Sequence, residues 1–364
     1  YAIYAADGSY NSVNPGLYNP LELIDGQEQT SKKYRTIVNL KGEWKILPVL
    51  TYRIGLDGDY NIMHERGYFP ATSIQGATSK GEVTDYRGFS FTQLIEHTLD
   101  FKKKFGDLDL GVLAGYSYQK TKIDNAYVGG INFLSPSLKY ITSAGEIDTG
   151  SSSLQEYALQ SFFGRVNLNY AERYLLELSL RSDASSKFSS ANRVGYFPAA
   201  SAGWRISDES WFGKSDVVSD LKLRASVGYT GNQEGIGYYE YHNIYSASGV
   251  KYDGNPGLSF ASSKPNADLT WEKTLQYGAG IDVSLFNHRI DVSLDWYKKD
   301  THDLLLSHSI NALSGYSSIT DNVGSMTNTG IDFTVTSHNL TGELSWNTNF
   351  NLSWVKNKVT GLAN

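Results

Sequence analysis

The sequence predicts an all-β protein, an antiparallel up-and-down transmembrane β-barrel, and three observations point there. Apolar and polar residues alternate with period two along most of the chain. Short connections between the alternating runs take turns with long ones. Most runs are about 10–18 residues, enough for the roughly 9–11 residues a tilted strand needs to cross a bilayer.

Composition sets the outer bounds. The chain has 364 residues, of which 40% are hydrophobic, 13% aromatic and 19% charged. There is no cysteine, which excludes disulfides, thiolate metal sites, iron–sulfur clusters and a cysteine nucleophile. A net charge of −6 argues against a nucleic-acid partner, which calls for a basic face. No run approaches the ~20 apolar residues of a membrane helix. A barrel escapes that test, because its alternating residues average out in any hydropathy window. Tyr1-Ala2-Ile3-Tyr4-Ala5 opens with neither a basic leader nor an initiator Met, so the chain reads as cut at both ends.

About twelve strands follow, as six hairpins. The first, near 34–44/49–62, places Leu50, Tyr52, Ile54, Leu56, Tyr60 and Ile62 opposite Thr51, Arg53, Asp57, Asp59 and Asn61. The second, 91–104/108–122, turns at Phe105-Gly106-Asp107, and the third, 156–170/174–183, at Ala171-Glu172-Arg173. The fourth is 194–206/220–231, where Leu221, Leu223, Ala225, Val227 and Tyr229 alternate with polar neighbours. A short helix is expected near Ser207–Val218. The fifth, 268–285/289–304, turns at Phe286-Asn287-His288-Arg289 and carries Ile290, Val292, Leu294 and Trp296 on one face. The sixth is 322–337/342–355, with Leu344, Trp346, Phe350, Leu352 and Trp354 aligned.

Long connections are expected at about 64–90, 123–155, 232–267 and 305–321, with 207–219 a medium exception. Successive antiparallel strands put alternate turns at opposite ends, so the short turns share one end and the long loops the other. An outer-membrane barrel has that asymmetry. A propeller would repeat at a fixed period, and none is visible. Trp44, Phe105, Tyr170, Tyr174 and Phe286 flank short turns, where an interfacial aromatic girdle belongs.

Candidate chemistry is sparse. Arg53, Asp57, Arg165, Arg181, Lys222, Arg224, Asp282, Asp291 and Asp295 fall on the polar face and read as a wetted wall with charges of both signs. Asp291 and Asp295 could mimic a glycosidase pair, but no hydrolase or phosphate-loop motif accompanies them. Asp57-Gly58-Asp59-Tyr60-Asn61 begins like a calcium loop, yet Ile62 and Tyr68 stand where Gly and Glu are needed. No metal, cofactor or enzymatic activity is expected. The segment Gly235–Tyr245 differs, with Tyr238, Tyr239, Tyr241 and Tyr245 in a long external loop. Such rings stack on sugars, anchor protein interfaces or pack against neighbouring loops. They are the candidate contacts for substrate or partner.

Several stretches resemble one family when taken in order. They are Arg181-Ser182-Asp183-Ala184-Ser185-Ser186-Lys187-Phe188, Gly195–Ile206 (GYFPAASAGWRI) and Leu221–Gln233 (LKLRASVGYTGNQ). Leu269-Thr270-Trp271-Glu272-Lys273-Thr274, Asp295-Trp296-Tyr297, Thr301-His302-Asp303-Leu304-Leu305 and Asn322–Asp332 (NVGSMTNTGID) complete the series. The set resembles the barrel of SusC/RagA-family TonB-dependent outer-membrane transporters. The resemblance implies a 22-stranded barrel, of which 1–364 would be a middle portion of about 12–13 strands, without plug, TonB box or closing strands. It implies a SusD-like surface lipoprotein as partner and energy coupling through TonB–ExbB–ExbD. The cargo would be a glycan oligosaccharide or a peptide, and the surroundings outer-membrane lipid. A passive porin or adhesin-type barrel and a soluble carbohydrate-binding β-protein remain as alternatives.

Overall fold

The computed structural model describes residues 3–6, 8, 19–24, 26–213, 215–246 and 251–362. Twelve long strands dominate it: β1 Glu28–Leu47, β2 Leu50–Phe69, β3 Glu82–Phe105, β4 Leu108–Phe133, β5 Ala144–Tyr170 and β6 Tyr174–Ser185, then β7 Val194–Arg205, β8 Val218–Asn232, β9 Glu272–Leu285, β10 Ile290–His302, β11 Ser325–Thr341 and β12 Ser345–Gly361. They form one 12-stranded sheet whose hydrogen-bonded order is the chain order. All six expected hairpins are present. The resolved registers are antiparallel, as in Leu294↔Phe333 and Phe333↔Leu352.

The contacts divide the chain into two units, Tyr1–Leu40, Leu56–Leu94 and Lys120–Glu156 in the first, Lys41–Gly55, Ile95–Gln119 and Tyr157–Asn364 in the second. In the first unit, Arg35 pairs with Asp59 at 2.7 Å, His64 meets Asp85 at 3.1 Å, and the Tyr60 and Phe89 rings pack edge-on at 5.0 Å. Tyr68, Val83 and Phe133 make its small core, with Ile141 and Ala144 against them. The Tyr68 hydroxyl donates to the Pro136 carbonyl at 3.0 Å, tying the connection 134–143 to the strand end.

The second unit holds the short-turn ends. Tight hairpin turns need positive φ: Gly106 adopts it (φ 58°) in the two-residue turn 106–107, and Ala171 and Glu172 (φ 54° and 58°) in the three-residue turn 171–173. Neighbouring turns are laced together: Ala171 N–H donates to Asp107 O, Arg205 N–H to Arg173 O, Phe286 N–H to Val217 O and His338 N–H to Arg289 O.

Register carries one apolar face across this unit. Trp204 pairs with Leu223, Leu223 with Ile281, Ile281 with Leu294, Leu294 with Phe333 and Phe333 with Leu352. One row over, Ala279 pairs with Trp296, Trp296 with Ile331 and Ile331 with Trp354. Leu176, Leu178, Leu180, Leu223, Leu294, Trp296, Ile331, Leu352 and Trp354 are all exposed rather than packed under a second layer. In water so wide an apolar surface would be an aggregation site. In lipid it is what a strand ribbon requires.

Several expected boundaries shift. The strands of the first three hairpins run further than the alternation indicated, so the connections shrink from about 64–90 to 70–81 and from about 123–155 to 134–143. At a rise of about 3.3 Å per residue and a tilt near 45°, β5 climbs on the order of 60 Å, well past an apolar band of about 25 Å. Beyond that band both faces meet water, and the period-two signal fades while the hydrogen bonding continues. The short helix expected near Ser207–Val218 is a single 3₁₀ turn, Ile206–Asp208.

Candidate functional site

Opposite the apolar face, the second unit bears a concavity of about 970 Å³, whose lining mixes charged and polar residues such as Asn167, Glu177, Lys222, Arg224 and Asp295 with apolar ones such as Leu110 and Leu168. Its centre is Arg224. The guanidinium grips Asp282 through Nε at 2.7 Å and Nη2 at 2.8 Å, and reaches Asp295 through Nη1 at 2.8 Å. Ser293 Oγ donates to Asp282 at 2.8 Å and completes the knot. This planar double fork suits arginine and no other cation. Gly280 makes room for it, since a Cβ there would come within 2.4 Å of Asp295 Oδ1 and 2.9 Å of Arg224 Cζ.

The polar-face charges named from the sequence are thus largely paired. Arg53 meets Glu43 and Asp100, Arg181 meets Asp183, and Asp291 lies 3.5 Å from His288. Asp295 is held by Arg224 rather than paired with Asp291. The Lys102-Lys103-Lys104 run is likewise engaged, on Asp100, on the Phe105 ring and on Asp109.

Most of the stretches that carry the family resemblance, far apart in sequence, meet at the loop end of this unit, while Asp295-Trp296-Tyr297 lies in mid-strand. Phe188, Phe197, Ile236, Leu269, Trp271 and Leu305 form one buried cluster, with Leu159 against it. The Trp271 ring lies 5.3 Å from Phe188 and 5.5 Å from Phe197, and its Nε1–H donates to Arg193 O at 2.9 Å. Ser186 exchanges two bonds with Ala158, Oγ accepting from its N–H at 2.9 Å and its own N–H donating back. Asn322 brackets Thr270, accepting from its N–H and donating to its carbonyl, each at 2.8 Å, and also donates to Asp303 O. The signature thus stitches three loops, 186–193, 233–271 and 303–324, to the strand ends.

Lys187 is the charged member of that collar, only 3% exposed. Burying an ammonium is costly unless it is compensated. Its Nζ donates to Glu234 Oε2 at 3.3 Å and stands 5.4 Å over both the Tyr157 and Tyr238 rings. Those rings stack at 5.3 Å. Cation and π-faces together pin the start of the tyrosine-rich segment. Burial pushes the Tyr238 phenol above its ordinary pKa, with Glu234 adding to the effect.

The other candidate tyrosines lie further along the same loop. Tyr239 is exposed at its surface, edge-on to Tyr238 at 6.4 Å. Tyr241 lies 4.0 Å from the His242 ring, and exposed Tyr245 faces Phe260 at 5.2 Å. The four therefore do not share one surface: Tyr238 faces inward to Lys187, and Tyr239 and Tyr245 face out.

Sequence reading missed a buried acid, Glu209, at the turn end. Glu209 accepts from Tyr174 Oη at 2.5 Å, Trp204 Nε1 at 2.9 Å and Arg173 Nη1 at 3.1 Å. The Tyr174 and Trp204 bonds, with Arg173 nearby, hold its carboxyl below the usual glutamate value. A depressed value means that its contribution to stability is complete above the ordinary carboxylate range, near about pH 4.3. The contribution fades as pH falls below that range. The only sequence hint was an unusually long, Trp-bearing connection among short turns.

Comparison with known proteins agrees with this architecture. The family model described as "TonB dependent receptor-like, beta-barrel" matches residues 1–364. TonB-dependent receptor SusC of Bacteroides thetaiotaomicron is 36% identical over 98% of this chain and 36% of its own length. TonB-dependent receptor P3 of Formosa agariphila is 34% identical over 99% of this chain and 36% of its own. The structure of the RagAB peptide transporter superposes with a TM-score of 0.89 at 25% identity, covering 100% of this chain and 41% of that one. The chain spans about a third of the length of these curated relatives. A sheet with lipid-ready rows on one face, a charged wall on the other and laced turns at one end is what the match would require, and the chain belongs to the TonB-dependent receptor β-barrel family of the bacterial outer membrane, related to SusC and RagA.

Proposed function

We propose that these strands are a middle portion of the barrel of an energy-coupled importer, acting by binding and gating rather than by bond chemistry. The whole protein would draw on TonB–ExbB–ExbD, work with a SusD-like surface lipoprotein and carry oligosaccharides or peptides. The observation that carries this reading is the superposition of this whole chain on 41% of the RagAB peptide transporter chain, with loops and turns sorted to opposite strand ends. Arg224 and its acids would stiffen the wetted wall, while the collar around Trp271 would fix the bases of the loops that meet cargo. Tyr239, Tyr241 and Tyr245 would supply contact surface for cargo or lipoprotein, with Tyr238 bracing them through Lys187.

The test is isolation of the full-length protein from native outer membranes in mild detergent, together with uptake by whole cells. A co-purifying surface lipoprotein, and uptake that stops when TonB is deleted, are expected. Uptake that persists without TonB would favour a passive porin instead. Orientation is checked separately, with single cysteines on intact cells. Ser151→Cys and Lys251→Cys should react with a membrane-impermeant maleimide and Glu172→Cys should not. Equal labelling of all three would overturn the assignment of loops outward and turns inward.

A further inference from the structure

Five of the six turn-end connections are two to four residues long, and the sixth is much longer. Arg205 of β7 already pairs with Lys222 of β8. Antiparallel neighbours can be joined by a two-residue hairpin, so closing this pair does not need the whole of segment 206–217. We propose that its first part, 206–213, is a membrane-interface anchor that seats Trp211 among phospholipid headgroups and upper acyl chains, with Glu209 as its positioning residue. The inference rests on the outer-membrane location and not on any cargo.

Three observations carry it. Trp211 is 65% exposed, although tryptophan is the side chain a watery turn would least favour there. Its ring meets Trp204 edge-on at 6.4 Å and Phe212 at 6.2 Å. Trp204 belongs to the apolar row that runs through Leu223 and Ile281 to Leu294, so Trp211 extends the lipid-facing side beyond its last strand residue. Finally, Glu209 points its carboxylate back to Tyr174 and Trp204, the first residues of that same face. The acid staples the segment to the lipid side rather than to the concavity. Tryptophan and tyrosine settle at the lipid–water boundary because the ring is apolar and its N–H or O–H still wants a partner. Trp44, Tyr170 and Phe286, exposed near other turns, fit the same belt.

The experiment uses the full-length protein reconstituted in phospholipid bilayers that contain lipids brominated either near the carbonyls or near the bilayer centre. The emission that disappears in Trp211→Phe is the Trp211 signal. It is expected to be quenched about twofold or more by the shallow bromines, weakly by the deep ones and little by aqueous iodide. Quenching by iodide with none by brominated lipid would show a periplasmic loop in water and overturn the anchor. Glu209→Gln, with barrel integrity confirmed by heat-modifiable gel migration, should lose about half of the shallow quenching while iodide access rises. Unchanged quenching in that variant would overturn the role of Glu209.

Discussion

Leu294→Arg is expected to destabilise the protein in a bilayer by about 2–4 kcal/mol, the cost of a lipid-facing cation near mid-depth. Leu294 is 41% exposed and lies in the row between Ile281 and Phe333, in mid-strand. The matched control is Ser201→Arg. Ser201 sits between Glu177 and Ser226 on the opposite face and lines the concavity, so the new cation meets water and a carboxylate. It should change stability by no more than about 0.5 kcal/mol. Guanidinium unfolding and refolding in lipid vesicles reads both variants. Equal costs would mean that the two faces share a solvent, and the membrane assignment of the rows would fall.

Trp271→Ala should cost the loop end about 3–5 kcal/mol of local stability, as expected for emptying a large aromatic site. Trp271 is 4% exposed, sits between Phe188 and Phe197, and holds the Arg193 carbonyl. Its removal opens a cavity at the junction of three loops and leaves the Arg193 carbonyl with the Ser185 N–H, at 3.1 Å, in place of two donors. Hydrogen exchange should therefore quicken in 186–193, 233–271 and 303–324 while the β8–β9–β10 ladder keeps its protection. Trp271→Phe, which retains much of the ring volume but not the N–H donor, should give a smaller version of the same pattern. Exchange that changes nowhere, or that rises equally through the strands, would show that the cluster is not the collar of these loops.

The collar explains why the family stretches could be recognised but not interpreted from sequence. Ser185-Ser186-Lys187-Phe188 and Leu269-Thr270-Trp271 look like unrelated strand ends when read along the chain. Their roles emerge only where they meet. Phe188 fills, Trp271 packs and donates, and Lys187 charges the gap between Tyr157 and Tyr238. The tyrosine-rich loop was visible as an oddity of composition. Its sorting into one inward and two outward rings was not, because that depends on Lys187, about fifty residues upstream.

Period-two alternation is a local property, imposed residue by residue where one face of a strand meets lipid and the other water. The chain by itself therefore determined the all-β class, the six hairpins, the two faces and the sorting of short turns from long connections. Where strands rise into water on both sides that pressure ceases, and tertiary hydrogen bonding alone decided that β3 to β5 run on past the readable pattern. The Arg224 double fork over Gly280, the Trp271 collar and the Glu209 staple were also decided in three dimensions. Each joins groups from separate strands or loops, and sheet register, not sequence spacing, sets which of them come within bonding distance.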